Sequence, residues 1–152
     1  MAGSRPRPAR RPGVRVLLDT NVLSEPLREH PNPLVVEQLQ DGRHQLHTAS
    51  VVIHELAYGV QRLSAGRKRQ RLAAYLDALL ESGLQVLPYD CRAALWHGQQ
   101  RAQLEAEGRR PAFADGQIAA IAATNDLVMV TRNLSDFADF QGLQLLDWFS
   151  KP

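Results

Sequence analysis

The sequence predicts an α/β fold in which a central, mainly parallel sheet carries helices on both faces. Three features carry that prediction. Short, wholly apolar runs bounded by turn residues recur along the chain, stretches with helical apolar spacing separate them, and no segment repeats another. At 152 residues the chain fits one domain, enough to bury roughly 70% of its unfolded surface.

Residues 1–13 hold repeated prolines and arginines without an apolar pattern and read as a disordered basic arm. Order is expected over 14–150. Arg15–Asp19 is a short apolar run ending in a polar turn at Thr20-Asn21, which suits a buried parallel strand. Asn32-Pro33 opens a helix over Leu34, Val35, Gln38 and Leu39, stopped near Gly42. A strand is expected at Gln45–Thr48. Ser50 is the natural cap of the next helix, whose apolar positions Ile53, Leu56, Ala57, Val60 and Leu63 carry it to about Ser64.

A further helix places Leu72, Tyr75, Leu76, Leu79 and Leu80 on one face and ends at Gly83. Leu84–Leu87 reads as a strand. Asp90 caps a helix through Ala93, Ala94, His97 and Leu104 that stops at Gly108, and Gly108-Arg109-Arg110-Pro111 forms a loop. The small-residue helix Phe113–Thr124, the strand Leu127–Val130, a loop at Thr131-Arg132-Asn133 and a last strand near Leu143–Leu146 complete the chain.

Composition narrows the function. The charge of +2 is set by the arm: removing Arg5, Arg7, Arg10 and Arg11 from the 18 basic residues leaves 14 against 16 acidic ones. The folded part is therefore slightly acidic, and its overall charge gives no argument for nucleic acid. The cluster Arg67-Lys68-Arg69-Gln70-Arg71 is a local basic patch or a solvated helix start. No apolar run approaches the ~18 residues of a spanning helix, and the N-terminus lacks a secretory pattern. A single cysteine, Cys91, excludes an internal disulfide and fits a cytoplasmic location.

The chemistry concentrates in carboxylates that lack a local cation. Asp19 follows Val16-Leu17-Leu18, Glu55 lies within Val51-Val52-Ile53-His54-Glu55-Leu56, and Asp115 precedes Ile118-Ala119-Ala120-Ile121. Taken singly, Asp19 is a capping or turn residue and Asp115 a favourable partner of a helix dipole. Glu55, well along an apolar helix, needs a partner. Unpaired carboxylates near apolar surroundings neutralise, pair or take a metal. Three converging in one cleft point to a hard divalent cation. Thr20, Asn21, Thr131 and Asn133 add short polar groups beside them that hold water or a carboxylate. His54 adjoins Glu55 but points about 100° away on the helix, so it is structural or solvated.

Competing chemistries fit poorly. A haloacid-dehalogenase-type phosphatase needs a second aspartate where Asn21 stands, and Lys68 and Lys151 are the only lysines. No Gly-x-Gly-x-x-Gly follows the first strand.

Four segments in order, Leu17-Leu18-Asp19-Thr20-Asn21-Val22-Leu23, Ser50–Gly59, Asp115–Ala122 and Val130–Phe137, resemble the PIN domain. More narrowly they resemble VapC toxins of toxin–antitoxin pairs, including the FitB-like branch, from about residue 15 to 149. The resemblance implies a single PIN-like domain that is a metal-dependent endoribonuclease, hydrolysing RNA phosphodiester bonds with metal-activated water. It implies Mg²⁺ or Mn²⁺ held by Asp19, Glu55 and Asp115. The family's fourth acidic position falls at Asn133, which is uncharged, with Asp136 one turn further. Either Asn133 orients water while Asp136 supplies charge, or Asp136 caps the following turn.

Thr20, Asn21, Thr131 and Arg132 are the expected substrate-binding residues, with Arg132 a phosphate clamp. Expected partners are a VapB-type antitoxin, RNA, and DNA only through the antitoxin, with no membrane. Leu27, Leu34, Leu39 and the Leu72–Leu80 helix are candidate partner surface. A homodimer or a toxin–antitoxin hetero-oligomer is the expected assembly. The alternative is a non-catalytic, FitB-like subunit of a DNA-binding autoregulatory complex.

Overall fold

The computed structural model of the protein describes residues 13–151; apart from Gly13, the arm expected over residues 1–13 lies outside the described residues. The elements in chain order are β1 (Arg15–Leu18), α1 (Thr20–Ser24), a 3-10 turn (Glu25–Leu27), α2 (Pro33–Gln40), β2 (Gln45–Ala49), α3 (Ser50–Gln61) and α4 (Arg67–Glu81). There follow β3 (Gln85–Leu87), α5 (Cys91–Ala106), α6 (Phe113–Thr124), β4 (Val128–Val130), α7 (Leu134–Phe137) and β5 (Leu145–Leu146).

The five strands form one sheet in the order β3-β2-β1-β4-β5, and every neighbouring pair is parallel. Parallel neighbours need crossovers, and the helices supply them. Successive connections run from β1 outward to β3, then return across the sheet to β4 and on to β5. With right-handed crossovers, that reversal puts helices on both faces. It also creates a switch point between β1 and β4, where the chains leave in opposite directions and open a crevice at the carboxyl edge. Leu18 pairs with both Thr48 and Val130, so Asp19 and Thr131 leave the sheet side by side at that crevice.

Burial accounts for the apolar runs. Val16, Leu17 and Leu18 are fully buried, as a central strand covered on both faces requires. The core continues through Val52 and Leu56 of α3 and through Ile118, Ala119, Ala120, Ile121 and Ala122 of α6. So many consecutive buried positions make α6 an interior helix, and its alanines let neighbours come close.

Several expectations are corrected by the structure. Thr20-Asn21 does not simply turn the chain; it begins α1, with Asp19 as N-cap accepting from Thr20 N at 2.8 Å. Ser50 is not a cap but the first residue of α3, because β2 runs on to Ala49, which pairs with Leu87. That helix stops at Gln61. Helix α4 has no fully buried residue, and Leu80 is exposed. At 100° per residue, Leu80 sits about 80° from Leu72 and falls on the flank of the stripe. The loop expected at Thr131-Arg132-Asn133 is followed by the four-residue α7, too short to show in the apolar spacing. The expected caps Asn32 and Asp90 are in place, accepting from Leu34 N and Ala93 N at 2.9 Å each.

One close approach positions the start of α6. A Cβ on Gly116 would overlap the imidazole of His97 on α5. That ring is almost fully buried, is held by a 2.9 Å contact between Nδ1 and the Tyr89 hydroxyl, and lies 4.9 Å from the Phe113 ring. It has no room to retreat. Gly116→Ala is therefore expected to destabilise the protein by about 1–3 kcal/mol, the usual cost of overpacking, read from the urea midpoint. A neutral substitution would show that α5 and α6 are not packed this closely.

Candidate active site

The carboxyl edge between β1 and β4 gathers acidic groups from four elements. Asp19 arrives from the end of β1 and is 7% exposed. Its backbone N–H donates to Val130 O at 3.0 Å, which fixes the residue against the end of β4. Its carboxylate accepts from Thr20 N at 2.8 Å and from the Thr131 hydroxyl at 2.8 Å. Burial nevertheless wins over these hydrogen bonds. The Asp19 pKa is raised above the ordinary value, with Glu55 and Asp136 adding to the rise.

Glu55 reaches the same edge from the second turn of α3, half-buried, and its Oε2 accepts from the Thr20 hydroxyl. Thr20 thus ties the two acids: its N–H serves Asp19 and its hydroxyl serves Glu55. Asp115 stands in the first turn of α6, and its pKa is pushed up to about 6. Desolvation is the largest cause, followed by the charges of Asp19, Asp136 and Glu55. A carboxylate whose main role was to favour a helix dipole would be shifted downward. The rise comes first from burial, and the smaller contributions from Asp19, Asp136 and Glu55 show that these charges lie near Asp115.

The positions near β4 divide in role. Asp136, in the first turn of α7, is exposed, yet its charge acts on both Asp19 and Asp115. Asn133 is exposed, and its side chain makes no cap bond to α7; its backbone N–H donates to Thr131 Oγ1 at 3.1 Å and its carbonyl accepts from Asp136 N at 3.1 Å. The structure therefore brings the charge of Asp136 to the group and leaves the Asn133 amide outside its hydrogen bonds. Thr131 is fully buried, so its hydroxyl orients Asp19 and is not open to a substrate. Asn21 Oδ1 accepts from Arg132 N at 3.2 Å, bracing the loop after β4. Arg132 is exposed with its guanidinium 5.3 Å above the Phe149 ring. His54 is exposed and stacks on Tyr58, away from the acids' hydrogen bonds.

Sequence reasoning missed Arg109 and Arg110, which it left in a connecting loop. They line a cleft of about 410 Å³ with Pro111, Ala112, Asp115, Ser135, Asp136 and Asp139. No periodicity marks such residues; the signal available was two adjacent arginines five and six positions before Asp115. A separate apolar groove of about 430 Å³ runs between α1, the 3-10 turn, α2, β2 and α4, lined by Leu23, Pro26, Leu39, Leu46, Tyr75 and Leu79 among others.

The donor set is all oxygen, which suits a hard cation such as Mg²⁺ or Mn²⁺ and does not suit a soft one. Among the described residues, no three His, Cys, Asp or Glu side chains are set to hold a metal together as they stand. The acids act on one another through their charges without closing into a cage. That fits an ion that keeps several of its waters and takes few protein ligands directly.

The Asp115 shift makes a stability prediction with a definite sign. The unfolded carboxyl ionises near 3.8 but the folded one near 6, so folding stability falls as pH rises through that window and stays lowered above it. In chelator, Asp115→Asn is expected to melt above wild type at about pH 7.5, the gap closing toward about pH 4. A gap of equal size at both pH values would remove the electrostatic explanation.

A model of the PIN domain matches residues 16–143. The toxin FitB of Neisseria gonorrhoeae is 36% identical over 126 residues, spanning 80% of this chain and 90% of that protein. The tRNA(fMet)-specific endonuclease VapC of Salmonella typhimurium is 31% identical over 135 residues, spanning 89% of this chain and 98% of the relative. The solved structure of FitAB bound to an IR36 DNA fragment matches with a TM-score of 0.80 at 30% identity, covering 90% of this chain and 97% of that one. The matched span contains all five acidic and amide positions of the edge, and this chain belongs to the PIN-domain family.

Proposed function

We propose that the protein is a metal-dependent endoribonuclease and the toxin subunit of a VapBC-type pair, acting in the cytoplasm. The observation that carries the catalytic reading is the group of four mutually repelling carboxylates, Asp19, Glu55, Asp115 and Asp136, at the switch point of a parallel sheet. Such a group is costly unless a cation joins it. The relatedness to a tRNA endonuclease that is matched over 98% of its own length supports RNA as the substrate class.

Asp19 and Asp115 are the proposed direct ligands of Mg²⁺ or Mn²⁺, with Glu55 bound directly or through water. The cation would activate water for attack on the scissile phosphate and neutralise the charge that develops there. Thr131 and Thr20 hold Asp19 and Glu55 in fixed orientations through their hydroxyl groups. Asp136 adds negative charge, and Asn133 is the proposed residue to orient water. Arg132, exposed beside this edge, is the proposed contact for an RNA phosphate, since backbone contacts position a strand.

A VapB-type antitoxin is the proposed partner, and contact with DNA would come only through it. The FitAB–DNA structure supports this assembly. The half-buried apolar face of α4 and the groove it shares with α2 offer surface for such a partner or for a second copy of the chain. Among the described residues no helix is long and apolar enough to cross a membrane.

Purified chain freed of any partner is expected to cleave RNA with Mg²⁺ or Mn²⁺ and to stop when the metal is chelated. Asp19→Ala or Asp115→Ala should lower the rate by at least ~10²-fold, the scale of lost electrostatic stabilisation. Equal RNA degradation by wild type and both variants would assign the activity to a contaminant. A chain that binds antitoxin and DNA but never cuts would favour the non-catalytic reading.

A further inference from the structure

An acidic edge that acts on RNA must also hold a polyanion that it repels, so cations at its rim decide whether the substrate stays. Arg109 is committed: its Nη1 lies 2.8 Å from Asp139 Oδ1, which ties the α5–α6 connection to the segment after α7. Its backbone N–H donates to Leu104 O at 2.8 Å, closing α5 over Gly108 at φ 78°. Pro111 fixes its own φ and restricts Arg110 to extended backbone. Arg110 therefore projects from a short segment anchored on both sides.

Arg110 lines the cleft with Asp115, Ser135 and Asp136, and it has no hydrogen-bond or ion-pair partner among the described residues. No cation appears among the influences on Asp115, so Arg110 is not engaged in neutralising it. A planar, permanently charged fork on a backbone anchored at both sides of the cleft, and without a protein partner among the described residues, matches a phosphate oxygen pair.

We propose that Arg110 is a substrate-binding residue that grips an RNA phosphate adjoining the one cut at the acidic edge. The inference rests on the ribonuclease reading for its substrate class. It extends the binding edge from the loop after β4, where Arg132 stands, to the loop before α6.

The test is anisotropy of a labelled, phosphorothioate-linked single-stranded RNA against full-length wild type, Arg110→Ala and Arg110→Lys in Mg²⁺, with melting temperatures recorded. Arg110→Ala should weaken binding about 5-fold and lower the slope of log K against log salt by about 0.7, the value for one contact to a single strand. Arg110→Lys should recover the slope, and all three proteins should melt alike. Equal affinities and slopes for the three, or no RNA binding by wild type, would overturn the proposal. Wild type that binds through Arg110 but cuts no RNA would instead sink the ribonuclease reading alone.

Discussion

Like charges brought close together at the carboxyl edge of a buried sheet are the constraint on which the rest of this structure turns. Asp19 is almost fully buried and Asp115 half-buried; Glu55 and Asp136 raise the cost of ionising both, and Asp19 adds to it at Asp115. Among the described residues, no cation is among the influences on either. Their burial follows from the fold: β1 and β4 lie side by side at the switch point, and α6 is held against α5 by the fit of Gly116 to His97. Stability is given up at this edge, and metal chemistry is the reading that gives the arrangement a use.

The supporting hydroxyls matter as much as the acids. Thr20 and Thr131 each carry two duties, orienting one carboxylate while bonding a second group. They convert flexible acidic side chains into fixed acceptors, which is what a water-rich ion with strict geometry requires. The proposed RNA contacts lie outside this shell: Arg132 rests on Phe149 and Arg110 stands on a segment stiffened by Pro111, an arrangement that would set attraction at the rim against repulsion at the centre.

Much of this was legible in the residues. Apolar runs of strand length gave the parallel sheet, and Asp19, Glu55 and Asp115 stood out because each lacked a cation nearby in sequence. What stayed hidden depends on contacts that periodicity does not encode. Helix α7 is four residues long, too short to show a pattern, so the place of Asp136 emerged only in three dimensions. Ser50 looked like a cap because nothing local reveals that β2 extends to pair Ala49 with Leu87. Thr131 read as a substrate contact, yet its full burial assigns it to Asp19. Arg109 and Arg110 read as loop because their neighbours in space come from α6 and α7.

The most direct measurement is an anomalous-scattering map from crystals of the partner-free protein soaked in Mn²⁺. The account predicts a manganese peak within coordination distance of Asp19 or Asp115, with Glu55 reached directly or through water. A peak elsewhere, or none while these side chains turn toward separate surfaces, would contradict it.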